Sequence, residues 1–434
     1  MKNGKNSIWT LRSASRIHGE LKPPGDKSIS HRAILLGGVA QGKSVIQGAA
    51  FGGDVCSSIE AMKAMGVSIK IEGENVTIEG KGWEGLCEPD SILDAGNSGT
   101  TARLLLGILS GRPFSAVLTG DASLRQRPMR RIVEPLSQMG ARFIGRRGGD
   151  SLPLAIQGGP LKGIRFRSPV PSAQVKSALL LAGLQAEGQT LVEEETLSRD
   201  HTERMLSEFG VPVKREGNKV MVGGGAVLKG TSLKIPADPS SAAFFVVAAL
   251  LIPESHLRIQ EVCVNPTRMG LFEILGEMGG KIQKIDPKIS SGEPVAHLVV
   301  ESSRLKGISV DPRRIPQMID EFPILCVAAA CAEGKTTIRG ATELRYKESD
   351  RIRTMARELS SMGVPIREFE DGLEIQGGVS LKGARCQSYG DHRVAMAMAI
   401  AGLLAQGETS VEDVDCVATS YPHFWTDLER LTGS

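Results

Sequence analysis

Six apolar stretches recur along the chain at regular intervals, and each follows a short polar loop. They are 9 to 13 residues long and contain at most one charged residue each, so they lack the polar side of a surface helix. Stretches of this kind predict helices that are buried all round. The six cover residues 32–40, 101–109, 175–186, 242–251, 322–332 and 393–405.

The same short sequence motifs surround these stretches. Leu-Lys-Gly precedes four of them, at residues 161, 228, 305 and 381, and a Gly followed by an extended stretch closes most of them. In five copies a second phrase follows, a helix that ends in Met-Gly or Phe-Gly and leads into alternating polar and apolar residues, as a strand does. We therefore predict an α/β protein of six βαβαββ repeats, each about 70 residues long.

The sixth repeat lacks its second phrase because the chain ends there. We expect the strand near the N-terminus to complete it, which would tie residues 1–24 to the C-terminal half. Three repeats per domain then predict two domains, 25–235 and 1–24 together with 236–434. The chain would cross twice between them at a hinge, near residues 22–25 and 234–238.

The composition is that of an ordinary folded protein, and it argues against several classes of function. Hydrophobic residues make up 41%, charged residues 23%, and the net charge is +3. Aromatic residues are only 4%, which leaves little material for stacking on nucleic-acid bases. No apolar run reaches the roughly 18 residues of a membrane span, and the seven cysteines form no Cys-x-x-Cys pair. We predict a cytoplasmic protein that binds no metal, no membrane and no nucleic acid.

The polar loops before the apolar stretches carry the candidate chemistry. Their Ser, Asp, Asn and Pro residues are those that helix N-termini prefer. Capping does not explain the cations Lys27, Arg32 and Arg393, whereas helix N-termini bind anions through their N–H groups and dipole. Two more segments, 125–131 and 347–351, add arginine and lysine. We therefore predict small polyanionic substrates in a cleft that several loops share.

The segment 37–44 matches the nucleotide-binding pattern G-x4-G-K-[ST] letter for letter. That pattern holds phosphates only when a strand precedes it and a helix follows it. Here the order is reversed, because the segment closes an apolar helix and opens a strand. We predict no nucleotide site and regard Lys43 as an ordinary turn residue.

Together the loops resemble those of the enolpyruvyl transferases, and in particular the class II branch of the 5-enolpyruvylshikimate-3-phosphate synthases. The resemblance covers nearly the whole chain. It rests on Pro24-Gly-Asp-Lys-Ser-Ile-Ser-His-Arg32, Ala95-Gly-Asn-Ser-Gly-Thr-Thr-Ala-Arg103, Arg127-Pro-Met129, Ser172-Ala-Gln174, Tyr346-Lys-Glu-Ser-Asp-Arg351 and Gly390-Asp-His-Arg393.

The resemblance implies a two-domain inverted α/β barrel built from six βαβαββ units, three per domain, which closes on its substrates. It implies transfer of the enolpyruvyl group of phosphoenolpyruvate to the 5-hydroxyl of shikimate 3-phosphate, with release of phosphate. The route is addition and elimination through a tetrahedral intermediate, in the pathway that leads to aromatic amino acids. The resemblance implies no cofactor, and we expect a monomer.

The resemblance also implies residue roles. Asp320 would be the base for the hydroxyl, Glu348 would give and take back the methyl proton, and Lys27 would assist proton transfer between the substrates. The residues implied to bind phosphoenolpyruvate are Lys27, Asn97, Gly99, Arg127, Gln174, Arg351 and Arg393. Those implied to bind shikimate 3-phosphate are Lys27, Ser28, Arg32, Ser172, Ala173, Gln174, Arg199, Asp320 and Lys347.

Simpler structural roles are open for three of the motif residues. Glu348 could pair with Arg351 three residues further along a helix. Asp320 could be a helix N-cap. We expect His392 to orient its loop rather than to take part in catalysis.

The sequence departs from the family pattern at three positions. Many members carry Lys, Asn and Tyr in place of Thr419, Glu343 and His201, which leaves the ligands on those loops open. Gly99 follows the pattern, and in the family Ala at that position is associated with tolerance of the inhibitor glyphosate, through a methyl group that crowds the site. We therefore predict that glyphosate inhibits this protein.

Two alternatives remain open. The sister enzyme that acts on UDP-N-acetylglucosamine usually carries a reactive Cys on a mobile loop, and residues 110–131 contain none. An RNA-binding protein, or a relative of RNA 3′-phosphate cyclase, would use the arginines between residues 125 and 147. Low aromatic content and a near-neutral net charge argue against such a protein.

Overall fold

The structure, a computed structural model, describes residues 7–433. These residues form two compact units. The first unit consists of residues 7–24, Ala237–Lys288 and 294–433, and the second consists of Gly25–Pro236 with Ile289–Glu293.

Three sheets of the second unit share one strand order. The first strand is parallel to the second, and the third and fourth follow antiparallel. The sheets are Ser232–Lys234, Gln41–Gln47, Asn75–Lys81 and Ser68–Glu72; Leu93–Asp94, Ser115–Thr119, Ser151–Gln157 and Arg142–Gly145; and Arg165–Ser168, Gln189–Glu194, Lys219–Gly223 and Lys214–Glu216. A short parallel pair joins Leu161–Lys162 to Ala186–Glu187.

The first unit has three sheets, one of four strands and two of three strands. One is formed by Lys281–Ser290, Glu293–Glu301, His256–Cys263 and His18–Leu21, although residues 289–293 at its hairpin tip lie with the second unit. The other two consist of Lys335–Ile338, Gly372–Gln376 and Ile366–Phe369, and of Ile8–Arg12, Glu408–Glu412 and Arg385–Gln387.

The N-terminal strand completes the sixth repeat, which confirms the sequence prediction. Ile8–Arg12 pairs antiparallel with Glu408–Glu412. The pairing is supported by side chains, because Trp9 stacks on Trp425 with ring centroids 4.6 Å apart.

Two strands belong to a different unit from the helix that follows them. His18–Leu21 pairs with His256–Cys263 in the first unit, although the next helix begins the second unit. Ser232–Lys234 pairs with Gln41–Gln47 in the second unit, although the next helix belongs to the first. The chain therefore passes between the units directly after each of these strands.

Each repeat contains two main helices. Six of them, here called the inner helices, are buried along nearly their whole length: Lys27–Val39, Gly99–Ser110, Ala173–Gly183, Pro239–Leu251, Phe322–Cys331 and His392–Leu404. Six outer helices have an exposed side: Gly53–Ala64, Arg130–Met139, His201–Glu208, Gly270–Glu277, Arg351–Ser361 and Phe424–Thr432. Short helices are Arg146–Gly149 and Ile315–Met318, and 3-10 turns are Trp83–Gly85, Leu124–Gln126, Pro266–Arg268, Pro312–Arg314, Thr342–Tyr346 and Val414–Thr419.

The inner helices confirm the six apolar stretches, and five of them begin earlier than the stretch does; the helix that begins at Phe322 starts where predicted. The first begins at Lys27 because the Asp26 carboxylate accepts a hydrogen bond from the N–H of Ile29. Lys27 therefore lies in the first helical turn rather than in a loop. In the same way Gly99 is the first residue of its helix, behind the cap Ser98.

The segment 37–44 has the predicted context. The helix Lys27–Val39 precedes it, and its Gly-Lys-Ser lies in the strand Gln41–Gln47. The α/β class is likewise confirmed by the alternation of helices and strands in both units.

Candidate active site

Capping side chains stand at the start of five inner helices, and each accepts a hydrogen bond from a first-turn N–H group. The caps are Asp26, Ser98, Ser172, Asp238 and Asp391. They explain why Ser and Asp recur in the polar loops. They do not account for the cations beside them.

Lys27 pairs with a carboxylate that the sequence analysis missed. Its Nζ lies 2.9 Å from Oδ2 of Asp54, and the two side chains are 16% and 10% exposed. Asp54 lies in the first turn of the outer helix Gly53–Ala64. A single acidic residue at a helix start is common, so its sequence position gave no sign of this partner. The pair holds a lysine ammonium group next to helix N-termini.

Arg32 is a buried cation whose partners are neutral. Its Nε donates to Oγ1 of Thr202 at 2.7 Å, Nη2 to Oγ of Ser177 at 2.9 Å, and Nη1 to the carbonyl oxygen of Ser28 at 2.8 Å. Burial lowers the pKa of Arg32 to about 10, so it stays charged at neutral pH. These oxygens carry no formal charge, and the charges that act on Arg32 include the carboxylates of Glu203 and Asp26 and the guanidinium of Arg199.

The other predicted ligands of shikimate 3-phosphate in this unit lie at helix starts and are half-buried. Ser28 occupies the first turn of its inner helix, and Ser172 and Ala173 begin another. Arg199 stands just before the outer helix His201–Glu208, and its charge acts on Arg32. These positions place backbone N–H groups and two arginines in one region of the unit.

Arg127 is fixed by the loop that precedes the second inner helix. Its Nη2 donates to Oδ1 of Asn97 at 2.6 Å, and Nη1 donates to the Asn97 carbonyl oxygen at 3.2 Å. Asn97 in turn donates through Nδ2 to Oδ2 of Asp121 at 2.6 Å. Arg127 is only 7% exposed, whereas Arg125 and Arg130 of the same basic segment are exposed. Arg127 is thus held in place, whereas Arg125 and Arg130 face solvent.

Gln174 and Gly99 both lie against Arg103, a motif residue to which the sequence analysis gave no role. Nη1 of Arg103 donates to Oε1 of Gln174 at 2.7 Å, and Nη2 donates to the carbonyl oxygen of Pro128 at 3.2 Å. Nε2 of Gln174 donates to Oγ1 of Thr100 at 3.0 Å. Two of the predicted phosphoenolpyruvate ligands, Gln174 and Gly99, therefore lie against one buried guanidinium.

A buried chain of hydroxyl groups connects three helix starts in the second unit. Nδ1 of His31 and Oγ of Ser58 are 2.8 Å apart, and Ser58 is 2.7 Å from Oγ1 of Thr101. Thr101 also bonds to the cap Ser98 and to the backbone oxygen of Asp54. Burial lowers the pKa of His31 to about 3, so the ring is neutral and serves as a hydrogen-bonding group.

In the first unit, Arg351 lies between carboxylates. Nε and Nη2 contact the two carboxylate oxygens of Asp391 at 2.8 and 3.2 Å, and Nη2 contacts Oε2 of Glu348 at 2.8 Å. Burial raises the pKa of Asp391, but the charge and hydrogen bonds of Arg351 and the charge of His392 together hold it below its ordinary value. Asp391 also caps the helix that begins with His392 and Arg393. Arg351 and Arg393 are thus positioned by the same buried carboxylate.

Asp320 is surrounded by cations. Its Oδ1 lies 3.5 Å from both Nζ of Lys347 and Nη1 of Arg351, and Nη1 of Arg393 donates to its backbone oxygen at 3.1 Å. The structure corrects the idea that Asp320 caps a helix, because the cap position of Phe322–Cys331 is Glu321.

The alternative role for Glu348 is half correct. It does pair with Arg351, but it lies ahead of the helix Arg351–Ser361 rather than on it. The Glu348 carboxylate is half-buried, lies on a loop and pairs with Arg351, so its role is not limited to an i,i+3 pair on a helix surface. His392 begins its inner helix and is buried.

The three departures from the family pattern have different surroundings. His201 is buried, with Nδ1 2.7 Å from Oε1 of Glu293 at the hairpin tip. Thr419 donates to the carbonyl oxygen of Cys416 at 2.7 Å. Glu343 is half-buried in the 3-10 turn Thr342–Tyr346. Sequence reasoning did not find Glu293, because its partner is distant in the chain.

Residues 7–433 contain no group of three or more His, Cys, Asp or Glu side chains placed to hold a metal ion. Over the same residues, no helix has the length and apolar character needed to cross a membrane. All seven cysteines are free thiols.

Buried cations, helix N-termini and carboxylates held by arginines are the equipment of an enzyme that binds polyanions and moves protons. The family model of EPSP synthase (3-phosphoshikimate 1-carboxyvinyltransferase) matches residues 11–428. The chain therefore belongs to the EPSP synthase family.

Similar proteins agree over the full length. A 3-phosphoshikimate 1-carboxyvinyltransferase of Citrifermentans bemidjiense is 53% identical over 98% of this chain and 99% of that protein. The Geobacter metallireducens protein of the same name is 52% identical over the same shares of both chains. Among solved structures, EPSP synthase from Acinetobacter baumannii has a TM-score of 0.88 and 44% identity, over 98% of each chain.

The substitution Asp391→Asn should destabilise the first unit. Removing one partner of a buried ion pair costs about 3–5 kcal/mol, because the remaining charge is left buried. The depressed pKa of Asp391 means that its stabilisation is present above about pH 4 and is lost as the pH falls further. The difference between wild type and variant in urea denaturation should therefore be large near neutral pH and shrink below about pH 4.

The control is Asp311→Asn, which removes an exposed pair with Arg313 and should leave the denaturation midpoint nearly unchanged. Equal effects of the two substitutions, or a difference at Asp391 that grows on acidification, would contradict this account of the buried pair.

Proposed function

We propose that this protein transfers the enolpyruvyl group of phosphoenolpyruvate to the 5-hydroxyl of shikimate 3-phosphate and releases phosphate, on the way to aromatic amino acids. The observation that carries the proposal is the presence of a buried cation in one unit and of arginine-bound carboxylates in the other. Arg32 is buried among neutral oxygens in one unit, and Asp320 and Glu348 are held by Arg351 in the other. Both substrates carry a phosphate and a carboxylate, so they need several cations, and the reaction needs carboxylates to move protons.

The reaction has two steps. In the addition, the 5-hydroxyl oxygen bonds to C2 of phosphoenolpyruvate, the hydroxyl gives up its proton, and C3 gains one, which yields a tetrahedral intermediate. In the elimination, C3 loses a proton, the bond between C2 and the bridging oxygen breaks, and phosphate leaves. No atom is exchanged with an external oxidant or reductant, so side chains are sufficient and we propose no cofactor.

Three side chains divide the proton transfers. Asp320 takes the hydroxyl proton, and its carboxylate lies 3.5 Å from both Lys347 and Arg351. Glu348 protonates C3 and later takes the proton back. Lys27, held by Asp54, assists transfer between the two substrates.

The remaining predicted residues bind the substrates. For phosphoenolpyruvate they are Lys27, Asn97, Gly99, Arg127, Gln174, Arg351 and Arg393. For shikimate 3-phosphate they are Lys27, Ser28, Arg32, Ser172, Ala173, Gln174, Arg199, Asp320 and Lys347. Burial and hydrogen bonding of Arg32, Arg127 and Arg351 support these roles, because fixed guanidinium groups lose little freedom on binding an anion.

We further propose that the domains are 25–235 and 1–24 with 236–434, three repeats each, in accordance with the two compact units. The protein acts as a cytoplasmic monomer, and glyphosate inhibits it.

Purified protein should release inorganic phosphate only when phosphoenolpyruvate and shikimate 3-phosphate are both present. Lys27→Ala and Glu348→Gln should each lower kcat by about 10²–10⁴-fold, because each removes a group that moves protons. A continuous phosphate assay measures this. The matched controls, Lys43→Ala and Glu301→Gln, change exposed residues and should retain wild-type rates.

Loss of activity in the Lys43 variant would reopen the nucleotide-site interpretation. Phosphate release with UDP-N-acetylglucosamine in place of shikimate 3-phosphate would refute the proposed acceptor. Wild-type rates in both the Lys27 and Glu348 variants would refute the proposed catalytic residues.

Gly99→Ala should weaken glyphosate inhibition. A Cβ at this position would lie 2.7 Å from Nη1 of Arg103 and 3.5 Å from Nη1 of Arg127, so a methyl group crowds the region proposed for phosphoenolpyruvate. We expect the glyphosate inhibition constant to rise at least about tenfold, which is 1.4 kcal/mol. The control Gly53→Ala adds a methyl group in open space and should leave that constant unchanged. An unchanged constant in Gly99→Ala would refute the prediction.

A further inference from the structure

We propose that Arg103 is a positioning residue for the phosphoenolpyruvate subsite, and that its guanidinium occupies the space that a side chain at residue 99 would need. This inference rests on the proposed function. Arg103 is 4% exposed and reaches three features of that subsite: Gln174, Gly99 and the carbonyl oxygen of Pro128, the residue after Arg127.

Arg103 and Gln174 stand on helices that are locked together. They lie near the starts of Gly99–Ser110 and Ala173–Gly183. Further along, Gly107 packs so closely that an added Cβ would be 2.3 Å from the backbone oxygen of Ala178. This backbone contact fixes the register of the two helices, so the guanidinium meets the amide in one geometry.

The contact also determines which way the Gln174 amide faces. A guanidinium has donors only, so the amide oxygen has to face Arg103. The NH₂ group then faces the other way, where one of its hydrogens is given to Oγ1 of Thr100. The second hydrogen is left to point at a ligand acceptor. Arg103 thereby makes Gln174 a donor toward an anionic substrate, whereas without it either end of the amide could face the ligand.

The same guanidinium limits the space at Gly99. The nearest atom to a Cβ built there is Nη1 of Arg103, at 2.7 Å, which is too close for two non-bonded atoms. The end of a long side chain can move, so Gly99→Ala is expected to displace the guanidinium and thereby loosen Gln174. On this account the effect of the methyl group passes through Arg103.

The fold supplies a matched control at the other end of the same helix pair. Nε of Arg112 donates to Oε1 of Gln185 at 2.8 Å, and Arg112 is 6% exposed. It is thus another buried arginine bonded to a glutamine across these helices. None of the predicted ligands lies in that contact.

The experiment is a double-mutant cycle on the Michaelis constant for phosphoenolpyruvate at saturating shikimate 3-phosphate. Arg103→Lys keeps a donor-only cation but removes the planar fork next to Gly99. We expect it to raise KM about 3–10-fold with kcat changed less than about threefold, and Gly99→Ala alone to raise KM at least about tenfold. In the Arg103→Lys background, Gly99→Ala should raise KM less than about threefold, because the guanidinium that the methyl group would displace is absent.

In the Arg112→Lys background, Gly99→Ala should keep its full effect. Arg103→Met, which cannot orient the amide, should raise KM more than Arg103→Lys does, and melting temperatures identify any variant that fails to fold. Equal effects of Gly99→Ala in the wild-type and Arg103→Lys backgrounds would overturn the inference. So would an equal loss of the effect in the Arg112→Lys background. An inactive wild-type protein would overturn the proposed function and this inference together, whereas an active protein with an additive cycle would overturn the inference alone.

Discussion

The six inner helices have no side that faces water, and this constraint determines where the protein can carry polar chemistry. A charge in the middle of such a helix would lose its hydration without compensation. The N-terminal turn is different, because its N–H groups lack partners within the helix and its dipole favours anions. Lys27, Ser172 and Arg393 all lie at such starts. The repeat therefore places an N-terminal turn of this kind at the start of each inner helix.

Lys176 shows what a charge inside an inner helix requires. It lies inside an inner helix with 1% of its side chain exposed, and its Nζ is 2.8 Å from Glu194 and 2.9 Å from Glu203. Two buried carboxylates neutralise it, so it is a structural charge. Arg32, by contrast, is bonded to hydroxyl and carbonyl oxygens. The two cations therefore differ in their hydrogen-bond partners, which are carboxylates for Lys176 and neutral oxygens for Arg32.

The sequence was sufficient for features that depend on neighbours along the chain. Apolar periodicity predicted the inner helices, and the missing phrase of the sixth repeat predicted the pairing of the N-terminal strand. Five of the six helix starts were predicted too late, because a helix begins at its polar cap, such as Asp26, and not at the first apolar residue. The partners Asp54, Arg103 and Glu293 were missed for another reason. Arg103 meets a residue 71 positions away, and Glu293 one 92 positions away, so only the folded chain brings them together.

The resemblance to known loops named the candidate ligands, but it could not state how each is held. That information lies in the contacts, such as Asp391 with Arg351 and Asn97 with Arg127. These contacts hold the side chains of the candidate ligands in place.

The central claim is that this protein cleaves phosphoenolpyruvate at the bond from carbon to oxygen, as addition and elimination require. The most direct test uses phosphoenolpyruvate labelled with ¹⁸O at the bridging oxygen, with mass spectrometry of the phosphate released in the presence of shikimate 3-phosphate. The account predicts that the label leaves with the phosphate. Phosphate without the label would mean that the bond from phosphorus to oxygen breaks, and would contradict enolpyruvyl transfer.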